Sequence, residues 1–226
     1  MASQPASKGD VLQRIGGIGL ILGGILTIVG NILATRPEDP ASVASIVTRW
    51  ASDADKVKLA FFLVVLGLWA LIAGFAAIYR SITAGGASAW ARLGFYGIVA
   101  ATSVVSVAFG LGIAGIKEAA AGPEMAGNAG ILAVATDSAF GVGFMAYWIS
   151  ILFIGIGISA CTVYPKWTGW LLVISGVVAA ITGGVLRLLG TPTSTTELIF
   201  DIGAGLTSVV ALVLGILVTR REMKAM

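Results

Sequence analysis

Arg187 and Asp201 are ionisable residues that lie within apolar stretches of the sequence. A charge inside the hydrocarbon of a membrane is costly, so each such residue is a candidate for function by default. Arg187 lies one turn before the end of one stretch and Asp201 one turn into the next, with a short loop between them. This spacing predicts a structural ion pair between adjacent antiparallel helices. The alternative is an ion or proton gate, for which a deeper carboxylate would be expected.

Three further polar residues lie near the ends of apolar stretches. Asn31 is predicted to donate a hydrogen bond across a packed helix interface, and Asp137 and Glu197 are predicted to mark helix starts, where negative charge complements the helix dipole. The sequence shows no paired carboxylates at catalytic spacing and no nucleophile beside a base. We therefore expect a protein without enzymatic activity.

The composition excludes several kinds of cofactor site. The chain has no histidine and one cysteine, Cys161, which rules out Cys/His zinc sites, bis-His haem and disulfides within the chain. Cys161 itself is expected to be a small buried apolar residue. Gly155 and Gly157 form a Gly-x-Gly pair, but no strand precedes them, so the context argues against nucleotide binding. No metal, cofactor or nucleic-acid partner is expected.

The overall composition is that of a membrane protein. Of 226 residues, 58% are hydrophobic and 11% are charged, whereas soluble domains carry about 25% charged residues. Six apolar stretches are long enough to cross a bilayer. We predict an all-α, multi-pass fold in which residues 1–226 form a single six-helix transmembrane domain. The predicted spans are 11–33, 57–78, 91–116, 140–162, 167–189 and 198–218.

The distribution of charge predicts the orientation in the membrane. The side that carries both termini has eight Lys and Arg residues, and the opposite side has six together with most of the acidic residues and the longer loops. Basic residues are retained on the cytoplasmic side, so both termini are expected to be cytoplasmic. Trp90, Tyr164, Trp167 and Trp170 lie at the same boundary, where aromatic side chains typically anchor a protein at the membrane interface.

The first loop on the other side carries a helical pattern. Asp39 is predicted to cap a short helix that has Pro40 at its first position. The apolar residues of this helix recur at i, i+3, i+4 and i+7, and they are Val43, Ile46, Val47 and Trp50. The pattern predicts an amphipathic helix on the outer surface, which either covers the ends of neighbouring spans or docks a partner or lines an entrance.

The second outer loop, residues 117–139, is open to several structures. It is rich in Ala and Gly, and residues 133–137 are compatible with an extension of the fourth span outward to about Ile131. A second surface helix and a partial re-entrant segment are equally compatible.

Small residues recur four apart along several spans, as close helix packing in lipid requires. The glycines predicted to mediate this packing are Gly19, Gly23, Gly110, Gly176, Gly184, Gly203 and Gly215. A cation followed by glycine also recurs at the start of spans one, three and five, at Arg14, Arg92 and Lys166. This weak repeat suggests three helical hairpins in the same orientation.

The first 100 residues resemble an uncharacterised bacterial family of six-helix integral membrane proteins, a domain of unknown function. The likeness rests on Arg14-Ile-Gly-Gly, on Arg36-Pro-Glu-Asp-Pro40, and on Ala77-Ile-Tyr-Arg80 ahead of Ala91-Arg-Leu-Gly94. The resemblance implies the six-helix architecture and no activity.

Three functions are compatible with these features. The first is a non-catalytic accessory or scaffold subunit that packs against itself or other membrane proteins, with membrane lipids around it. The second is a small transporter or channel with Asn31, Arg187 and Asp201 near its outer mouth. The third is a protein that binds an apolar ligand, such as a lipid or pigment, without ligating residues. The oligomeric state and the identity of any ligand or partner are not encoded in a recognisable motif.

Overall fold

The computed structural model describes residues 9–34, 36–83 and 85–223, and the regular secondary structure of these ranges is helical. The α-helices are α1 (Gly9–Leu33), α2 (Val43–Ser52), α3 (Ala54–Ser81), α4 (Gly85–Ala121), α5 (Ala126–Ala160), α6 (Lys166–Ala179), α7 (Leu186–Leu188) and α8 (Ser194–Met223). A 3₁₀ turn, Pro123–Met125, precedes α5, and a π-helical segment, Ala180–Val185, joins α6 to α7.

Six helices are long and apolar enough to cross a membrane, which confirms the multi-pass architecture. They are α1, α3, α4, α5, the fifth span formed by α6 with the π-helical segment and α7, and α8. Several extend beyond the apolar stretches, because Ala-rich flanks favour helix even where they are polar enough to leave the hydrocarbon. The largest difference is at residues 117–139, most of which are helical: α4 continues to Ala121 and α5 begins at Ala126.

The six spans form a closed ring in chain order. Each span packs against the spans that precede and follow it, and α8 packs against α1. Both described ends of the chain therefore lie on one side of the ring, here called the terminal side. The short helix α2 packs against α3, α4 and α5 at the opposite ends of these helices, and this end is called the α2 side.

The outer surface of the ring is apolar, as expected for contact with lipid. On α1 the exposed large side chains recur every three or four residues and so form a single stripe. They are Val11, Ile15, Ile18, Leu22, Ile25, Val29 and Ile32. The other faces of α1 carry glycines that approach α3 or α8: Gly16 and Gly19 face α3, and Gly17 faces α8.

The predicted packing glycines divide into three groups. Those at which an added Cβ would lie within about 3 Å of a neighbouring helix are Gly19, Gly23, Gly176, Gly184 and Gly215. Gly203 makes an ordinary contact, 3.5 Å from the Ala179 side chain. The prediction for Gly110 is wrong: it is exposed, and within the described residues no atom of another helix lies within 4 Å of an added Cβ. Gly110 continues the four-residue spacing of small residues along α4, but this row of residues passes from the buried to the exposed face of the helix by Gly110.

The amphipathic helix predicted in the first loop is present as α2, with a different start. The N-cap is Ser42, whose hydroxyl accepts a hydrogen bond from the Ser45 amide, while Asp39 accepts one from the Ala41 amide in the turn before it. Of the four predicted apolar residues, Trp50 is buried, Ile46 and Val47 are half-buried, and Val43 is exposed. Trp50 packs in a cluster with Ile116 of α4 and Ala133 of α5, so α2 covers the ends of neighbouring spans.

Candidate ligand-binding cavity

A cavity of about 230 Å³ lies inside the helix ring on the α2 side. Its walls come from α1, α3, α4, α5, α7 and α8. The end nearest the surface is lined by α2 together with Ala34, Arg36, Pro37 and Pro40. Along α3 the lining residues run from Val57 to Leu71, and along α5 from Ala133 to Trp148. At about 1.5 Å per residue, each series covers roughly 20 Å of helix. The cavity therefore reaches from the α2 side well into the apolar interior.

Aromatic side chains in mutual contact form part of the cavity walls. Phe109 and Phe140 have ring centroids 4.7 Å apart, and Phe61 lies edge-on to both. The series continues from Phe140 through Phe144 and Phe200 to Trp148, with centroid separations of 5.1, 5.3 and 5.9 Å. Edge-on and offset ring pairs of this kind are favourable beyond the burial of their area.

Glycines on the facing helices make room for these rings. Gly112 of α4 lies against Phe61, and Gly183 of the π-helical segment lies against Phe200. A Cβ built at Gly112 would come within 2.6 Å of the Phe61 ring. The π-helical segment thus lies directly beside the aromatic wall. Such segments are rare in proteins, and those that occur are often found at functional sites.

The α2 end of the cavity carries three arginines and three carboxylates, which formally balance. Arg187 bridges two helices, since its guanidinium pairs with Asp137 of α5 and Glu197 of α8. Arg36, in the segment after α1, pairs with Asp201 of α8. Arg49 of α2 pairs with Asp53, which is outside the lining.

The predicted ion pair between Arg187 and Asp201 is therefore wrong in its partners, although both residues line the same cavity. The expected helix-start role holds for Glu197, which is in the first turn of α8, and fails for Asp137, which is inside α5. The cause is the same in both cases. Because α5 extends outward to Ala126, it places Asp137 at the depth of Arg187, and Arg36 folds back over the ring to neutralise Asp201.

Hydroxyl groups line the deeper part of the cavity between α1 and α8. The Thr27 and Ser208 hydroxyl oxygens are 3.0 Å apart, and Thr207 donates to the hydroxyl of Ser175 over 2.8 Å. Thr27 and Ser208 also donate to carbonyls of their own helices. Asn31, predicted to bond across an interface, lines the cavity one turn above Thr27.

Five lining residues carry a buried polar atom that has no hydrogen-bond partner within the described part of the chain. These atoms are Thr136 Oγ1, the Tyr147 hydroxyl, Trp148 Nε1, Arg49 Nε and Arg187 Nε. Thr136, Tyr147 and Trp148 are deeply buried, with 3%, 2% and 5% of their surface exposed. A buried polar group without a partner costs about 1–3 kcal/mol, and such groups are usually satisfied by water or a bound molecule.

Sequence reasoning missed most of this site. Arg36 is in a predicted loop and Arg49 is on the polar face of the predicted amphipathic helix, so the sequence predicts that both are exposed to solvent. The phenylalanines are ordinary residues for apolar spans. One signal was available: Phe140, Phe144, Tyr147 and Trp148 recur at helical spacing on one face of a span. In a membrane helix that pattern fits a lipid-facing stripe equally well, so it does not identify a cavity.

No group of three or more His, Cys, Asp or Glu side chains in the described ranges is placed to hold a metal ion. Comparison of the chain with known proteins finds no matching family model, no matching curated protein and no matching solved structure.

Proposed function

We propose that the chain is a non-catalytic multi-pass membrane protein that binds a small amphiphilic molecule in the cavity on the α2 side. The observation that carries this proposal is the coexistence, at one cavity, of aromatic walls, a charged end and unpartnered buried polar atoms. Ligand sites are typically apolar cavities with a few convergent polar groups. This combination favours the ligand-binding alternative over an accessory or scaffold role, which stays a prediction.

The volume limits the size of the occupant. A cavity of about 150 Å³ holds a benzene ring, so 230 Å³ accommodates on the order of ten non-hydrogen atoms by the same scale. A whole diacyl lipid exceeds this volume, and a single ring with a short substituent fits it. With both termini cytoplasmic, as proposed from the charge distribution, the cavity opens toward the exterior.

The experiment is native mass spectrometry of the protein extracted gently from its own membrane. The wild-type protein is compared with Ala204→Phe and Ala133→Phe, which place a ring in the cavity lining from α8 and from α5. Ala100→Phe, on an exposed face of α4, is the matched control for the added ring.

We expect a small bound mass in the wild-type protein and in the Ala100→Phe control, and its loss in both filled variants. Two filled positions are used so that one misfolded variant does not decide the result. An unliganded wild-type protein, or a bound mass that survives in folded Ala204→Phe and Ala133→Phe, would contradict the proposal.

A further inference from the structure

The unpartnered polar atoms around the cavity share one chemical property. Trp148 Nε1, Arg49 Nε and Arg187 Nε can only donate a hydrogen bond, and the Thr136 and Tyr147 hydroxyls can donate as well as accept. Among these five atoms none is acceptor-only. A molecule that satisfies them must therefore present hydrogen-bond acceptors.

The hydroxyl of Thr136 lacks the intrahelical hydrogen bond that several other helical threonines make, as does that of Thr102, which is outside the cavity lining. Thr27, Thr182 and Thr219 each donate to the carbonyl four residues earlier in their own helix, over 2.8–2.9 Å. Thr136 faces the cavity without such a bond. Its donor is thus left available at the level where Asp137 joins Arg187.

The electrostatics of the site disfavour a charged occupant. Every arginine that lines the cavity is already paired with a carboxylate. Arg187 has two acidic partners, so the net charge of this group of three side chains is negative and would oppose the binding of an anion. A free cation would meet the unpaired donors of Trp148, Arg49 and Arg187. A neutral acceptor avoids both conflicts.

The aromatic walls favour a flat ring. Phe140 and Phe144 are stacked with an interplanar angle of 3°, and Phe200 and Trp148 continue the wall toward the unpartnered indole nitrogen. A planar ligand lying among these rings gains the stacking and edge-on contacts that aromatic pairs favour.

From these observations we propose that the ligand is a neutral aromatic carbonyl compound, such as an aryl ketone or quinone ring, whose oxygen accepts hydrogen bonds from Trp148 and Tyr147. This inference rests on the proposed function and names the ligand class of the same cavity. Thr136 and the Nε atoms of Arg49 and Arg187 are available to a second oxygen nearer the α2 side.

The test compares two flat molecules that differ at one atom. Acetophenone carries a carbonyl oxygen, and α-methylstyrene carries a methylene group in the same place. Binding of each to the full-length protein in lipid nanodiscs is measured by equilibrium dialysis, and empty nanodiscs give the partition into lipid, which is subtracted.

We expect saturable binding of both probes, with acetophenone bound roughly tenfold more tightly, since the oxygen satisfies donors that the methylene group leaves unpaired. Tyr147→Phe and Trp148→Phe should each reduce this preference by about threefold or more. Tyr96→Phe and Trp170→Phe alter exposed side chains outside the cavity, and they should keep the wild-type preference.

Folding of the variants is checked independently. Because the Tyr147 hydroxyl has no partner within the described residues, Tyr147→Phe should leave the unfolding temperature of the unliganded protein unchanged or raise it. A clear drop would mean that the hydroxyl is already bonded within the protein and would overturn its assignment as a ligand contact.

The remaining outcomes separate the two proposals. Equal affinity for the two probes, or a preference that survives in both Tyr147→Phe and Trp148→Phe, would overturn the ligand class and leave the proposed function standing. A cavity that holds only water would give no saturable binding of either probe, and that result would overturn both proposals.

Discussion

Several glycines at the two ends of the helix ring meet different kinds of neighbour. On the terminal side, glycines of α4, α5 and α6 face the backbone of the neighbouring helix: a Cβ built at Gly155 would lie 2.7 Å from the Gly169 carbonyl oxygen, and one at Gly94 would lie 2.6 Å from that of Ser150. On the α2 side, Gly112, Gly115 and Gly183 face the rings of Phe61, Trp50 and Phe200.

The nature of the partner decides what each glycine does. Where glycine meets backbone, two helices approach as closely as helices can, and the end of the ring closes. Where it meets an aromatic ring, the ring occupies the space that a side chain at the glycine would need. We call the terminal half, where these backbone contacts lie, the closed half; the cavity with its charged and unpartnered groups lies in the α2 half.

The largest expected effect is the loss of the guanidinium that joins α5, α7 and α8. Arg187→Gln leaves Asp137 and Glu197 facing each other without a cation, and both Arg187 and Glu197 have side chains only 14% exposed. Breaking a buried ion pair from one side typically costs about 3–5 kcal/mol, and we expect a loss of about 4 kcal/mol in the free energy of unfolding, measured in bicelles by denaturant titration.

Double-mutant cycles then distinguish the true partners of Arg187. The coupling energy should be large for Arg187 with Asp137 and for Arg187 with Glu197. For Arg187 with Asp201 it should be close to zero, so that the effects of the two single substitutions add. Strong coupling to Asp201 alone would restore the pairing expected from the sequence and contradict the arrangement described above.

The closed half should be the more sensitive to added bulk. Gly155→Val forces three extra carbons against the backbone of α6, and we expect it to destabilise the fold by about 3 kcal/mol, at the upper end of the usual cost of overpacking. The matched control is Gly110→Val on the exposed face of α4, which should change the unfolding free energy by less than about 1 kcal/mol, as surface substitutions usually do. Similar losses for the two variants would refute the contrast between close-packed and lipid-facing glycines.

The smallest effect should come from the more exposed pair at the α2 end. The Arg36 side chain is 41% exposed, so solvent screens its attraction to Asp201. Exposed ion pairs contribute about 0–1 kcal/mol, and Arg36→Gln should lower the unfolding free energy by no more than about 1 kcal/mol. A loss as large as that of Arg187→Gln would show that this end is as dry as the interior.

The sequence was sufficient for the six spans, because length and apolarity alone determine whether a helix can cross a membrane. It also placed α2 through the spacing of Ile46, Val47 and Trp50. It did not place the partners of Arg187, because pairing between helices depends on their relative depth. Here an Ala-rich segment, polar enough to resemble a loop, extends α5 outward, so that Asp137 lies within the helix at the depth of Arg187.

The cavity itself left almost no trace in the sequence. A phenylalanine that lines a cavity and one that faces lipid have the same local pattern, and Gly112 resembles Gly110 until the position of Phe61 is known. Whether a glycine closes or opens the ring depends on the residue opposite, which is distant in the chain. For the same reason the unpartnered state of Tyr147 and Trp148 is a property of the assembled helices.

The central claim, that the α2 half is hollow and holds a small molecule while the terminal half is closed, is tested most directly by thiol labelling. Cysteine is introduced at Ala204 in the cavity lining or at Ala91 in the terminal-side core, with the buried native Cys161 replaced by alanine in both. The account predicts that methyl methanethiosulfonate labels Ala204→Cys in nanodiscs, that acetophenone slows this reaction, and that Ala91→Cys stays unlabelled. Equal labelling of the two positions, or a rate at Ala204→Cys that acetophenone leaves unchanged, would contradict it.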